Sequence, residues 1–194
     1  MEFDPFVAAA IAAMLGVSPA GVPADRPDLH GDLPGLPAAL GRGVARIHAT
    51  PIPAGAAPFD IQAAIRDRLA AGLVMTRSMP QPYDRYSAQE LGELFERLPG
   101  GDGGAGAPTC VVGRLTLDRI LLAGGEVCGI GGGELGLLVD PHLDLAVLHH
   151  SIHTSLGPEA VFGFYEAYGS DPSLVLLDRY VMAAHLLGWM PNVS

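Results

Sequence analysis

One stretch of this sequence resists a helical reading, and it sets what the rest can be. Residues 99–108 hold five glycines between two prolines, a composition suited to a connector and not to packed structure. Beyond it lie three short apolar runs: Cys110-Val111-Val112, Arg119-Ile120-Leu121-Leu122 and Glu126-Val127-Cys128-Gly129-Ile130. The last two are separated by Ala-Gly-Gly, which predicts a β-hairpin. Strands are expected near 110–112, 119–123 and 126–130.

Both flanks carry apolar residues at helical spacing. Phe6, Val7, Ile11, Met14 and Leu15 follow an Asp-Pro start and precede Gly16, which predicts a helix over 4–15. From 17 to 37 the chain is rich in Gly and Pro and reads as an extended surface loop. Leu36, Leu40, Val44 and Ile47 place a helix at 36–49, and Phe59, Ile61, Ile65 and Leu69 another at 59–72. Ser87-Ala88-Gln89-Glu90 has the form of a capping box, in which two orphan amide donors are satisfied reciprocally, so 88–98 is helical. Helices are further expected at 141–156, 158–168 and 173–188, begun by Asp-Pro or Gly-Pro. A chain of 194 residues at roughly 150 per domain is one domain with a small appendage, of α+β class and mostly helical.

Charge excludes several functions. All 11 basic residues are Arg, so a Walker A loop, a kinase-type strand lysine and Schiff-base chemistry are all ruled out within this chain. The net charge of −10 with dispersed arginines lacks the clustered positive field of nucleic-acid binders, and it disfavours anionic membranes. No apolar run reaches 18 residues, and the acidic start makes a poor signal peptide, so a cytoplasmic location is expected. Cys110 and Cys128 read as reduced thiols.

The segment 110–146 resembles the catalytic core of the aminoglycoside phosphotransferase and choline kinase-like family. The resemblance is carried by Val112-Gly113-Arg114-Leu115-Thr116-Leu117-Asp118-Arg119-Ile120-Leu121-Leu122, the Gly-Gly turn, Glu126-Val127-Cys128-Gly129, and a closing Asp140-Pro141-His142-Leu143-Asp144-Leu145-Ala146. Upstream, 38–49 is similar to the helix that follows the family's interlobe hinge. The likeness spans about 34–190. It implies a protein-kinase-like fold represented by the C-terminal lobe with a small β-hairpin element, the N-terminal nucleotide lobe being absent, and a division into 1–33 and 34–194.

The family's site needs a base in His-Gly-Asp, an Asn five residues later for one Mg²⁺ and an Asp after the hairpin for the other. The resemblance places these positions at Arg114, Arg119 and Gly132. Guanidinium stays charged and offers no acceptor, so neither arginine can act as base or hold Mg²⁺. No catalytic residue is therefore expected. Arg114 and Arg119 become an anion-binding candidate, helped by exposed amides at Gly131–Gly133, and the simpler alternative pairs them internally with Asp140 or Asp144. Those two acids read as structural, Asp140 as a helix N-cap and Asp144 as support in the first turn. His30-Gly31-Asp32 copies the catalytic triplet by coincidence. His149 and His153, four apart, have a metal-compatible spacing, but no third ligand can be named and ordinary surface or core histidines are favoured.

The expectation is a catalytically degenerate relative, a pseudokinase, acting as a binding or interaction module without metal or cofactor. Its acidic balance suits a cationic small molecule or a basic protein, and a homodimer, or cover by the 4–15 helix, would protect the face left by the absent lobe. The alternatives are an active small-molecule phosphotransferase using ATP and Mg²⁺, or one half of a split enzyme.

Overall fold

The computed structural model describes residues 21–32, 35–52, 58–98, 109–131 and 137–190. The helix expected at 4–15, the connector at 99–108, and Gly132 and Gly133 lie outside the described residues.

The hairpin forms where the apolar runs predict it. Strand β3 (Ile120–Ala123) pairs antiparallel with β4 (Glu126–Ile130) across Gly124 and Gly125, whose φ values of 60° and 80° are readily adopted only by glycine. β2 (Thr109–Val111) is separate and pairs antiparallel with β5 (Leu137–Val139).

The stretch read as a surface loop is built into the fold. β1 (Val22–Pro23) pairs with the outer edge of β3, with Val22 opposite Leu122 and Pro23 opposite Leu121. The next residue, Ala24, is buried, and its N–H donates to the carbonyl of Ile120 at 2.9 Å. Proline tolerates an edge strand because it lacks only a donor, and a two-residue pairing leaves no periodicity to read. Helix α1 (Pro27–Asp32) follows, so His30-Gly31-Asp32 sits in a helix and not in a loop.

The remaining helices are α2 (Leu36–His48), α3 (Ile61–Ala70), α4 (Ala88–Arg97), α5 (His142–Leu156), α6 (Pro158–Tyr168) and α7 (Leu174–Leu186). α4 begins with the predicted capping box, in which Ser87 Oγ accepts from Glu90 N–H and the Glu90 carboxylate accepts from Ser87 N–H. Its other end is closed from a distance. The buried Arg179 of α7 donates to the carbonyls of Phe95 (3.0 Å) and Leu98 (2.6 Å) and lies 4.2 Å from the Phe95 ring centroid.

α5 is the central helix. Leu143, Leu145, Ala146, Val147, Leu148 and Ile152 are all buried, covering more than one face, because helices and the loop before β3 pack around it. α2 lies against α6 so closely that a Cβ at Gly41 would collide with the carbonyl oxygen of Phe164 and stand 2.8 Å from the backbone nitrogen of Tyr168. Backbone cannot move aside as a flexible side chain can. Gly41→Ala is therefore expected to lower stability by about 1–3 kcal/mol. Chemical denaturation checks this, and an unchanged midpoint would show that α2 and α6 are less closely packed.

Candidate functional site

The loop after β2 carries the positions singled out by the sequence, and a buried carboxylate shapes it. Asp144, in the first turn of α5, is completely buried. Its Oδ2 accepts the N–H of Val112 at 2.8 Å, where β2 ends. The same oxygen lies 3.3 Å from His48 Nε2 at the end of α2, and His48 Nδ1 lies 2.9 Å from the Tyr168 hydroxyl at the end of α6. Nε2–H can donate to Oδ2 while Nδ1 accepts from the tyrosine, whereas Asp144 Oδ1 is buried without a hydrogen-bond partner among the described residues. Burial pushes the Asp144 carboxyl up from its ordinary value; the hydrogen bond and charge of His48 and the amides of Val112 and Gly113 oppose this. Burial also raises Tyr168 to about 12, assisted by the charges of Asp144 and Asp140.

Immediately after Val112 the chain turns at Gly113, whose φ of 78° is accessible to glycine and strained for other residues. Arg114 is thereby thrown outward and exposed, whereas Leu115 and Leu117 bury themselves. Leu117 N–H donates to Ser151 Oγ of α5 at 3.2 Å, and Arg119, half-buried, closes the loop by accepting Gly131 N–H on its carbonyl at 2.6 Å. The loop is thus pinned at Val112, Leu117 and Arg119.

Arg114 and Arg119 form no ion pair among the described residues, so the internal pairing with Asp140 or Asp144 is not found. Both acids are buried and hold other partners through one oxygen each, whereas Arg114 is exposed; Asp140 Oδ2 and Asp144 Oδ1 have no hydrogen-bond partner among the described residues. Asp144 faces inward on His48 and Val112. Asp140 Oδ1 accepts from His142 N–H (2.9 Å) and lies 2.6 Å from His142 Nδ1, while His142 Nε2 accepts Ser173 N–H at 3.1 Å. Asp140 therefore ties the start of α5 to the start of α7. Gly131 also departs from the expectation of free amides, since its N–H is used by Arg119.

His149 and His153 share a wall of a cleft of about 850 Å³ between α5, α6 and α7. Among the described residues no group of three or more His, Cys, Asp or Glu could hold a metal ion. In a second hollow His149 and His153 are joined by His150, which lies near them in sequence, and by His185, which the sequence did not single out. Burial and the neighbouring positive charges of His153 and His150 lower His149; burial and His153 lower His150; burial, then His150, brings His185 to about 4. Cys110 and Cys128 are free, and burial raises the Cys110 thiol.

A β-hairpin packed against α2 and a strand-to-loop turn fixed on a buried helix that opens Asp-Pro make up the frame of a protein-kinase-like lobe. The solved structures similar to this chain specify it further. They include aminoglycoside-3'-phosphotransferase of type VIII, at 23% identity and a TM-score of 0.70 over 86% of this chain and 65% of that one. Aminoglycoside phosphotransferase APH(3'')-Id from Streptomyces rimosus, in complex with ADP and streptomycin, follows at 22% identity and 0.69, over 86% and 67%. A choline/ethanolamine kinase family protein from Mesorhizobium loti gives 22% and 0.61, over 94% and 66%. The fold is therefore the aminoglycoside phosphotransferase and choline kinase-like fold, and the chain spans about two thirds of the length of these structures. No protein-family model matches the chain and no curated protein matches it. No described helix is long and apolar enough to cross a membrane.

The histidines make a prediction about acid stability. A folded-state pKa below the ordinary 6.5 means that the unfolded chain takes up protons first, so stability is lost as pH falls from about 6.5 toward about 4. Melting temperature should drop across that window, and His185→Phe should flatten the drop. A variant whose melting temperature falls as steeply as the parent's would remove His185 from the account.

Proposed function

We propose that this chain is a catalytically degenerate form of the phosphotransferase fold and serves as a small-molecule-binding or interaction module. The observation that carries this reading is Arg114, exposed and without an ion pair among the described residues, on the Gly113 turn where the resembling family has its catalytic base. A guanidinium there cannot take a proton from a hydroxyl. With Arg119 also unpaired, the loop presents two positive charges where the fold's enzymes gather Mg²⁺, and like charge opposes a cation. The candidate partners remain a cationic small molecule, a basic protein or a second copy of the chain. Phe162, Leu174 and Val175, exposed at 77%, 77% and 60%, supply apolar surface for such contacts.

A second reading, an active ATP- and Mg²⁺-dependent small-molecule phosphotransferase, is favoured by the loop frame itself, which Asp144 keeps in order at Val112. The ADP and streptomycin of the Streptomyces rimosus structure make nucleotide the first ligand to try.

Titration of the chain with ATP and Mg²⁺, followed by a turnover assay, separates the two. No turnover is expected, either in the natural sequence or in Arg114→Asp combined with Arg119→Asn. Because neither arginine is held in an ion pair, the double substitution should change stability by no more than about 0.5 kcal/mol. Measurable phosphoryl transfer by the natural chain would overturn the degenerate reading. A large stability loss in the double variant would show instead that the arginines hold the loop.

A further inference from the structure

The chain carries a net charge of −10, yet the described residues that line one of its hollows are all neutral or basic. Between the 3₁₀ turn Thr76–Ser78 with the residues after it, α5 and α7 lies a pocket of about 500 Å³. Arg77, His149, His150, His153 and His185 line it on the polar side, and Met79, Ala146, Val181 and Met190 on the apolar side. No Asp or Glu is among the described residues that line it, and none of these belongs to the loop that carries Arg114. Arg77 is exposed and forms no ion pair among the described residues.

We propose that this pocket binds a small oxyanion, a phosphate or carboxylate group carried on a short apolar body. Arg77 offers a planar fork that matches two oxygens of such a group, and the imidazoles of His150 and His185 offer further donors deeper in. The apolar residues exclude water from the body of the ligand. The inference rests on the reading of the chain as a ligand-binding module and, for this pocket, replaces the cationic small molecule that the net charge suggests with an anion.

The arrangement also couples binding to protons. Burial and mutual repulsion disfavour charge on His149, His150 and His185, and a bound anion is the counter-charge that each lacks. Other ionisable groups face these rings. Tyr165 of α6 has its hydroxyl 3.2 Å from His149 Nδ1, and Arg77 stands across the pocket. Glu166 of α6 and Asp171 before α7 line the adjoining cleft with His149 and His153. The two carboxylates therefore border a cleft that shares His149 and His153 with the anion pocket, and neither they nor any other described Asp or Glu lines the pocket beside His150 and His185. Protonation on binding makes affinity rise as pH falls.

Isothermal titration calorimetry of the full chain with inorganic phosphate and, separately, with hexanoate tests this at about pH 6 and about pH 8. Saturable binding of at least one probe is expected, tighter by about tenfold or more at the lower pH, and the probe that binds better identifies the head group. Arg77→Gln should weaken it by about tenfold, His185→Phe should reduce its pH dependence, and Arg97→Gln on α4 should leave it unchanged. Binding of neither probe, or binding indifferent to Arg77→Gln and to pH, overturns the proposal. The nucleotide assay reads a different loop, so either result can fail alone.

Discussion

The buried carboxylate of Asp144 is the interaction on which the rest of this structure depends. It joins four elements at one point: α5, which carries it; β2, through the amide of Val112; α2, through His48; and α6, through the Tyr168 hydroxyl behind that histidine. A carboxyl group removed from water in this way is held by the donors that converge on Oδ2, while Oδ1 is buried without a hydrogen-bond partner among the described residues. Removing one partner of such a group characteristically costs about 3–5 kcal/mol, since the others are left buried and unpaired. The same contact fixes where β2 stops, and hence where Gly113 turns the chain and Arg114 emerges.

Shape and chemistry are separable in this loop. Its frame is set by inward-facing groups: Val112 on Asp144, Leu117 on Ser151, and the Arg119 carbonyl on Gly131. Arg114, by contrast, is exposed and forms no ion pair among the described residues, so substitution there has little effect on folding. A loop of this kind can keep its geometry whatever side chain stands at 114. The fold is therefore weak evidence of activity, and the residues at the tip must decide it.

Much of the frame was legible in the sequence because it is local. Helices α2 to α7 announce themselves through apolar spacing and through caps such as Ser87 with Glu90, and the hairpin through Gly124 and Gly125. What was not legible depends on distant partners. β1 and β5 are two and three residues long and exist only by pairing with Leu121–Leu122 and Thr109–Val111. Asp144 looked like a helix-dipole acid from its position, yet its partners are Val112, His48 and, through it, Tyr168. The match of Ile47-His48 to the hinge helix of the resembling family was the one sequence signal for that histidine. Likewise, His185 joins the histidines of α5 only because α7 packs against α5. Net charge misled for the same reason, since the −10 of the whole chain is not the charge of any one hollow.

Amide hydrogen exchange at Val112 tests the central role of Asp144 most directly. This N–H is expected to exchange only when the whole domain unfolds, Asp144→Ala to accelerate it together with the amides of β2, and Arg114→Ala to leave it unaltered. Rapid exchange at Val112 in the folded natural chain, or protection that survives Asp144→Ala at its original level, would contradict that role.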